Sequence, residues 1–215
     1  MTRADFEERA AILEYDGGLP RAAAEAQTIR EICDHAADPP GILGELARAD
    51  RCRWHPDLAP VLADLGLANV RGPAWGFGPC MFEGSTYRPA NPGEHGRLCL
   101  IVPAGEYGKL HDLAAMDLAD RHTATRQGVA GVVGFDEIDR ARVNSRPLFV
   151  FNDLLAWLRG GALGVAVVDW ARAVEIFDDV PLLLCAASMV DRLEQATANC
   201  WQPPSIAAIG CRYAA

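Results

Sequence analysis

The sequence predicts an α/β protein, α+β overall, in three parts: a helical hairpin over 1–37, an α+β segment with antiparallel strands over 38–146, and a small parallel-sheet domain over 147–215. Three observations predict it. In the last third, short apolar runs without polar alternation take turns with helix-compatible segments, the pattern of strands buried on both faces of a parallel sheet. In the middle, apolar runs are separated by glycine and proline turns, the pattern of an antiparallel meander. At the start, apolar residues recur with helical spacing on either side of Asp16-Gly17-Gly18.

The elements follow in chain order. Phe6, Ala10 and Leu13, with the neighbouring Ile12, share one helical face, and Thr2 can cap its start. Asp16-Gly17-Gly18 ends that helix, because glycine accepts the left-handed geometry of a C-cap. Pro20 suits the first turn of a second helix reaching about Ile32. Asp38-Pro39-Pro40 breaks the pattern. Helices are expected over 41–49 and 56–65, the latter with Leu58, Val61, Leu62 and Leu65 apolar. Residues 69–96 are rich in Gly and Pro, and irregular backbone or short strands are expected there. A strand over 98–103, a turn over 105–108, a returning strand over 110–118 and a third over 121–127 make the meander. Residues 128–134, with glycine at every third position, read as a loop or strand. Strands are then expected over 147–151, 163–168, 181–185 and 205–209. Helices fall between them: one capped by Asn152 or Asp153 and running through Arg159, one over 171–177, and one over 188–198.

Composition narrows the function. Half of the 215 residues are apolar, but 36 of them are alanine, which forms helix well and buries little. The formal charge is −9 and the pI near 5.0, which argues against a protein that coats nucleic acid or anionic membrane by charge. The acids are uneven. Residues 1–70 carry 13 acids and 7 bases, 71–150 carry 9 of each, and 151–215 carry 7 and 4. A local nucleic-acid contact is therefore best sought among Arg121, Arg126, Arg140, Arg142 and Arg146, and the acidic hairpin is expected to face a protein partner. Trp75, Phe77 and Tyr87, beside Arg71 and Arg88, can stack bases or form a local core. The N-terminus has no apolar core of a signal peptide, and no apolar run approaches the roughly 20 residues of a membrane span. The expectation is a cytoplasmic protein without membrane contact.

Seven cysteines with no CxxC pair argue against a disulfide framework or a zinc ribbon. Cys52, His55, Cys80, His95 and Cys99 are the zinc-ligand types that remain as a candidate set. Cys185 sits at a strand end before a helix, where a helix N-terminus can lower a thiol pKa; the competing reading is a packed core thiol. No GxSxG and no GxxxxGK[ST] occurs, and the 128–134 glycines lack a strand-to-helix setting.

Two stretches carry a family resemblance. FEERAAILEYDGGLPRAAAEA, residues 6–26, resembles a helical hairpin near the ends of primase, helicase and recombinase-type proteins of phages and plasmids. LCLIVPAGEYGKLHDLAAMDL from Leu98, with PLFVFNDLLAWLRGGALGVAVVDW further on, is similar to the core and Toprim-like region of bacterial and phage primase-related proteins. The resemblance implies a Toprim-like parallel sheet and, in a working enzyme, a glutamate after the first strand and an Asp-x-Asp pair after the third, holding Mg²⁺ for phosphoryl transfer. Here the first strand ends Phe151-Asn152-Asp153 and the third ends Leu184-Cys185-Ala186-Ala187, so those acids are missing. Asp169 and Asp153, with Glu106, are the carboxylates left. The expected function is a non-catalytic accessory or interaction protein of a phage or mobile-element DNA replication or recombination system, without cofactor. The alternatives are a Mg²⁺-dependent Toprim-fold enzyme acting on nucleic acid and a Cys/His zinc protein.

Overall fold

The computed structural model describes residues 8, 11, 12, 14–18, 41–92 and 94–209. The chain divides into two compact units, Met1–Pro39 and Pro40–Ala215. Most of the expected hairpin lies outside the described residues. Within it, 11, 12, 14 and 15 are helical, and the Asp16 amide donates to the Ile12 carbonyl at 2.8 Å just before Gly18 turns left-handed at φ 62°. That is the stop expected at Asp16-Gly17-Gly18.

The second unit opens with α1 (Ile42–Arg53), one helical turn longer than its apolar pattern implied. The helix expected over 56–65 is instead a 3-10 turn (Pro56–Leu58) leading into the short α2 (Ala59–Asp64). Pro60 in its first turn has no amide to donate and suits only a helix start.

Five strands then close a barrel: β1 (Gly76–Glu83), β2 (Thr86–Pro89), β3 (Arg97–Glu106), β4 (Lys109–Asp117) and β5 (Thr123–Thr125), in the order β1-β2-β5-β4-β3. The expected meander is present, and residues 69–96, where irregular backbone or short strands are expected, supply two strands of a closed wall. The third strand of the meander shrinks to three residues. Closure rests on one parallel pair, Thr86 with Thr125, which no local pattern announces. Long stretches of β3 and β4 are buried on both faces. Leu100, Val102, Ala114 and Met116 enter one core with Trp75, Phe77 and α4 (Leu154–Arg159), while Cys99, Ile101, Leu113 and Ala115 enter another with Leu46 and Ala49 of α1. This double burial explains why these strands show no polar alternation. Gly76 is required where α1 crosses β1, because a Cβ there would sit 1.8 Å from the Ala49 carbonyl oxygen.

The second sheet has β6 (Val132–Val133), β7 (Leu148–Phe151), β8 (Val165–Val167), β9 (Leu182–Ala186) and β10 (Ser205–Ile209), in the order β10-β9-β7-β8-β6. The last four in sequence are parallel and β6 runs antiparallel at one edge. All four parallel strands lie where the sequence places them. Three further helices pack on the sheet: α3 (Asp136–Val143), α5 (Trp170–Ala173) and α6 (Val190–Thr197). The helix expected over 171–177 changes to a 3-10 turn at Val174–Phe177. Strand β6 and α3 precede residue 147, yet Val132, Ile138 and Ala141 share the core of this sheet. No helix among the described residues is long and apolar enough to cross a membrane.

Candidate functional site

In a sheet of this kind, ligands sit beyond the carboxyl ends of the strands, where the strand order reverses. Here that point lies between β7 and β9. After β7 comes Asn152-Asp153. Asp153 is extended, and its Oδ1 accepts from the Ala156 amide at 2.7 Å, capping α4. After β8, Asp169 caps α5 in the same way: Oδ1 accepts from the Ala171 amide at 2.9 Å, and Oδ2 pairs with Arg172 Nε at 3.2 Å. After β9, the backbone enters a 3-10 turn, Ala187–Met189, with no side-chain cap. The crest is thus two helix-capping aspartates and a neutral third position. Among the described residues, no group of three or more His, Cys, Asp or Glu is arranged to hold a metal ion.

Asp153, Asp169 and Glu106 therefore do not gather around one ion. Glu106 stands at the tip of the β3–β4 hairpin, on a cleft of about 420 Å³ that His111, Gln127, Phe135 and Ile176 also line. A β-bulge at Ala104/Gly105 shifts the register there, leaving His111 unpaired between Leu110 and Asp112. The zinc candidates do not assemble either. Cys52 and His55 lie at the end of α1, Cys80 and Cys99 are buried between β1 and β3, and His95 is exposed on the loop before β3. The Cys80 thiol is held far above its ordinary range by its contact with the Cys99 thiol and by burial. Cys185 is buried in β9, and burial pushes its thiol up, so the helix that follows does not activate it.

The five arginines are placed as follows. Arg126 Nε pairs with Glu45 at 2.9 Å. Arg140 and Arg146 both pair with Glu137. Arg142 donates to the Asp178 carbonyl at 2.9 Å and the Ile176 carbonyl at 2.8 Å. Arg121 stands exposed on a turn at φ 64°. Four of the five thus engage groups of the same chain. Trp75, Phe77 and Tyr87 are core residues, each no more than 2% exposed. Arg88 is held by Glu83 and Glu94.

Three acids that sequence reasoning missed lie in the barrel or against it, two of them buried. The Asp112 carboxylate is fully buried and accepts four amides: Leu113 and Gln127 on Oδ1, both at 2.8 Å, with Val129 at 2.9 Å and Ala130 at 3.2 Å on Oδ2. It shapes the 127–130 loop that borders the cleft. Glu45 reaches from α1 towards Arg126 and Tyr87, and burial together with that carboxylate holds the Tyr87 phenol far above its ordinary range. Asp136 accepts from the Tyr107 amide at 2.6 Å and the Gly108 amide at 3.3 Å, latching the hairpin tip to α3. For Asp112, the available signal was an acid inside the apolar run 110–118.

No protein-family model and no curated protein sequence matches the chain. Among solved structures, it is similar to the RNA polymerase domain of the primase DnaG of Mycobacterium tuberculosis, with 13% identity and a TM-score of 0.47 over 77% of this chain and 73% of that one.

Proposed function

We propose that this chain is a non-catalytic accessory protein of a DNA replication or recombination system, of the primase-related kind that phages and mobile elements carry. It works by docking a protein through its acidic N-terminal segment, in the cytoplasm, and needs neither Mg²⁺ nor zinc. Any nucleic-acid contact is auxiliary and weak. One observation supports this reading: the strand-end positions where a Toprim-like sheet needs metal-binding acids hold Asn152, a neutral 3-10 turn and two aspartates engaged as helix caps. A carboxylate that accepts a cap amide has fewer lone pairs to offer, and Mg²⁺ needs several oxygens close together.

The test is an assay of the full chain for primer synthesis and for cleavage of single- and double-stranded DNA with Mg²⁺ or Mn²⁺. The expected result is no product above background. Metal-dependent product that disappears in Asp169→Ala overturns the reading in favour of a Toprim-fold enzyme. Stoichiometric zinc in the purified protein overturns it in favour of the Cys/His site.

A further inference from the structure

The cleft beside the β3–β4 hairpin is lined by polar side chains that the fold leaves unengaged. Its volume of about 420 Å³ falls within the roughly 300–1,000 Å³ of ordinary small-molecule sites. Glu106, His111 and Gln127 supply its polar lining, and Val129, Phe135 and Ile176 most of its apolar lining. Among the described residues, the side chains of Glu106, His111 and Gln127 make no hydrogen bond and no ion pair. The acids around them behave differently: Asp112, Asp136, Asp153 and Asp169 all hold backbone amides. A mixed lining of this kind, apolar with a few free polar groups, is the ordinary make-up of a ligand site.

Two of those acids build the cleft. At the bulge, β4 has one residue more than β3 between the pairs Ala104–Asp112 and Gly105–Leu110, and that extra residue is His111. Asp112 takes the amides of Gln127, Val129 and Ala130 and so fixes the 127–130 wall, while His111 beside it lines the cleft itself. Asp136 holds the Tyr107 and Gly108 amides, which fixes the hairpin tip next to Glu106. Both walls are set before a ligand arrives, so binding does not have to order them.

Charge selects the ligand. Glu106 brings a negative charge, and no Lys or Arg side chain lines the cleft among the described residues. Lys109, the register partner of Glu106, makes no ion pair with it, and Arg172, beside Gly131, is paired with Asp169. A phosphate or a nucleotide would meet a carboxylate with no counter-charge in the lining. An ammonium group donates to Glu106 in a charge-assisted hydrogen bond, with the Gln127 carbonyl as a further acceptor, and Val129, Phe135 and Ile176 take up a hydrocarbon body. We infer that this cleft is a binding site for a small organic ammonium ion with an apolar body. The inference assigns binding and no chemical step; it goes beyond the accessory role proposed above and does not rest on it.

The experiment is a titration of the full chain, labelled with heavy nitrogen, followed through its amide NMR signals. The probes are benzylamine, benzyl alcohol and benzoate, which share a ring and differ in head-group charge. Benzylamine is expected to move the amides of residues 104–111 and 127–132 with a Kd of order 1 mM, the strength that so small a ligand reaches. Benzyl alcohol should bind about fivefold more weakly, and benzoate should leave those amides unmoved. Glu106→Gln, at an exposed hairpin tip, should reduce benzylamine to the affinity of benzyl alcohol. Val129→Ser, on the exposed part of the apolar wall, should weaken amine and alcohol alike by about threefold. Three results each overturn the inference: amides in these two segments that stay still up to about 20 mM benzylamine, alcohol or benzoate binding as tightly as the amine, and an affinity for benzylamine that Glu106→Gln leaves unchanged.

Discussion

The barrel and the parallel sheet have five strands each, but they treat acids in opposite ways. The barrel region takes carboxylates inside: Glu45, Asp112 and Asp117 are buried there. The sheet buries none among its described residues and keeps Asp153 and Asp169 half-buried at its strand ends. An acid carries structure where its surroundings can meet its charge. A carboxylate can lie inside when backbone amides or a cation meet it, as four amides meet Asp112 and as Arg97 and the Ala119 amide meet Asp117. At the strand ends, where a catalytic sheet would concentrate charge, the same group holds a short helix. The edges differ as well. The barrel closes on itself, while the sheet ends in β10, a neutral strand with a neighbour on one side only.

The largest effect is expected from Asp112→Ala. It leaves four amides without their acceptor in a fully buried site, and the expected loss of stability is about 3–4 kcal/mol. Asp112→Asn keeps one acceptor oxygen and should lose about half as much. Urea unfolding of the two variants against wild type measures both. A loss below about 1 kcal/mol in the alanine variant would mean that the 127–130 loop is held by something other than Asp112.

Much of this architecture was legible in the sequence. The 105–108 turn between two apolar runs announced the β3–β4 hairpin, and the four parallel strands announced themselves by unbroken apolar residues. The capping role of Asp153 was legible too, because a cap and its amide lie three residues apart. The rest depends on distance along the chain. Asp112 meets amides 15 to 18 residues away. Glu45 meets an arginine 81 residues away. The barrel closes through Thr86 and Thr125. No window of local periodicity contains such pairs. The five arginines named for a nucleic-acid contact show the same separation. They are close in sequence, yet Arg126 turns to α1 while Arg142 turns to the backbone around residue 177.

An effect of intermediate size is expected at Asp153. Asp153→Ala removes the cap of α4 and should lower stability by about 1 kcal/mol. Asp153→Asn keeps a side-chain oxygen for the Ala156 amide and should be close to neutral. A cap tolerates the amide, whereas a metal ligand does not. A thermal melt of the three proteins with and without about 5 mM Mg²⁺ separates the two roles by mass action. The cap reading expects no Mg²⁺-dependent rise in any of them. A rise in wild type that vanishes in the asparagine variant would return Asp153 to the metal-binding class.

The smallest effect concerns an acid on the barrel's outer surface. Glu94 grips Arg88 through both oxygens, at 2.6 and 2.9 Å, and accepts the Asn91 amide at 2.7 Å. The Arg88 guanidinium, with that amide, holds the Glu94 carboxyl down to about 2. In the unfolded chain the same group titrates near its ordinary value of about 4.3. Its folded pKa is the lower of the two, so its contribution is fully present above the unfolded value and fades as pH falls towards 2. Exposure and screening keep that contribution small. Glu94→Gln removes the titration but keeps an oxygen for the amide. The urea midpoint of wild type should therefore fall more steeply than that of the variant between about pH 5 and pH 2.5, while the two respond alike between pH 6 and pH 8. Parallel acid limbs would show that the grip on Arg88 adds nothing to the folded state, and that only the buried acids of the barrel carry its structure.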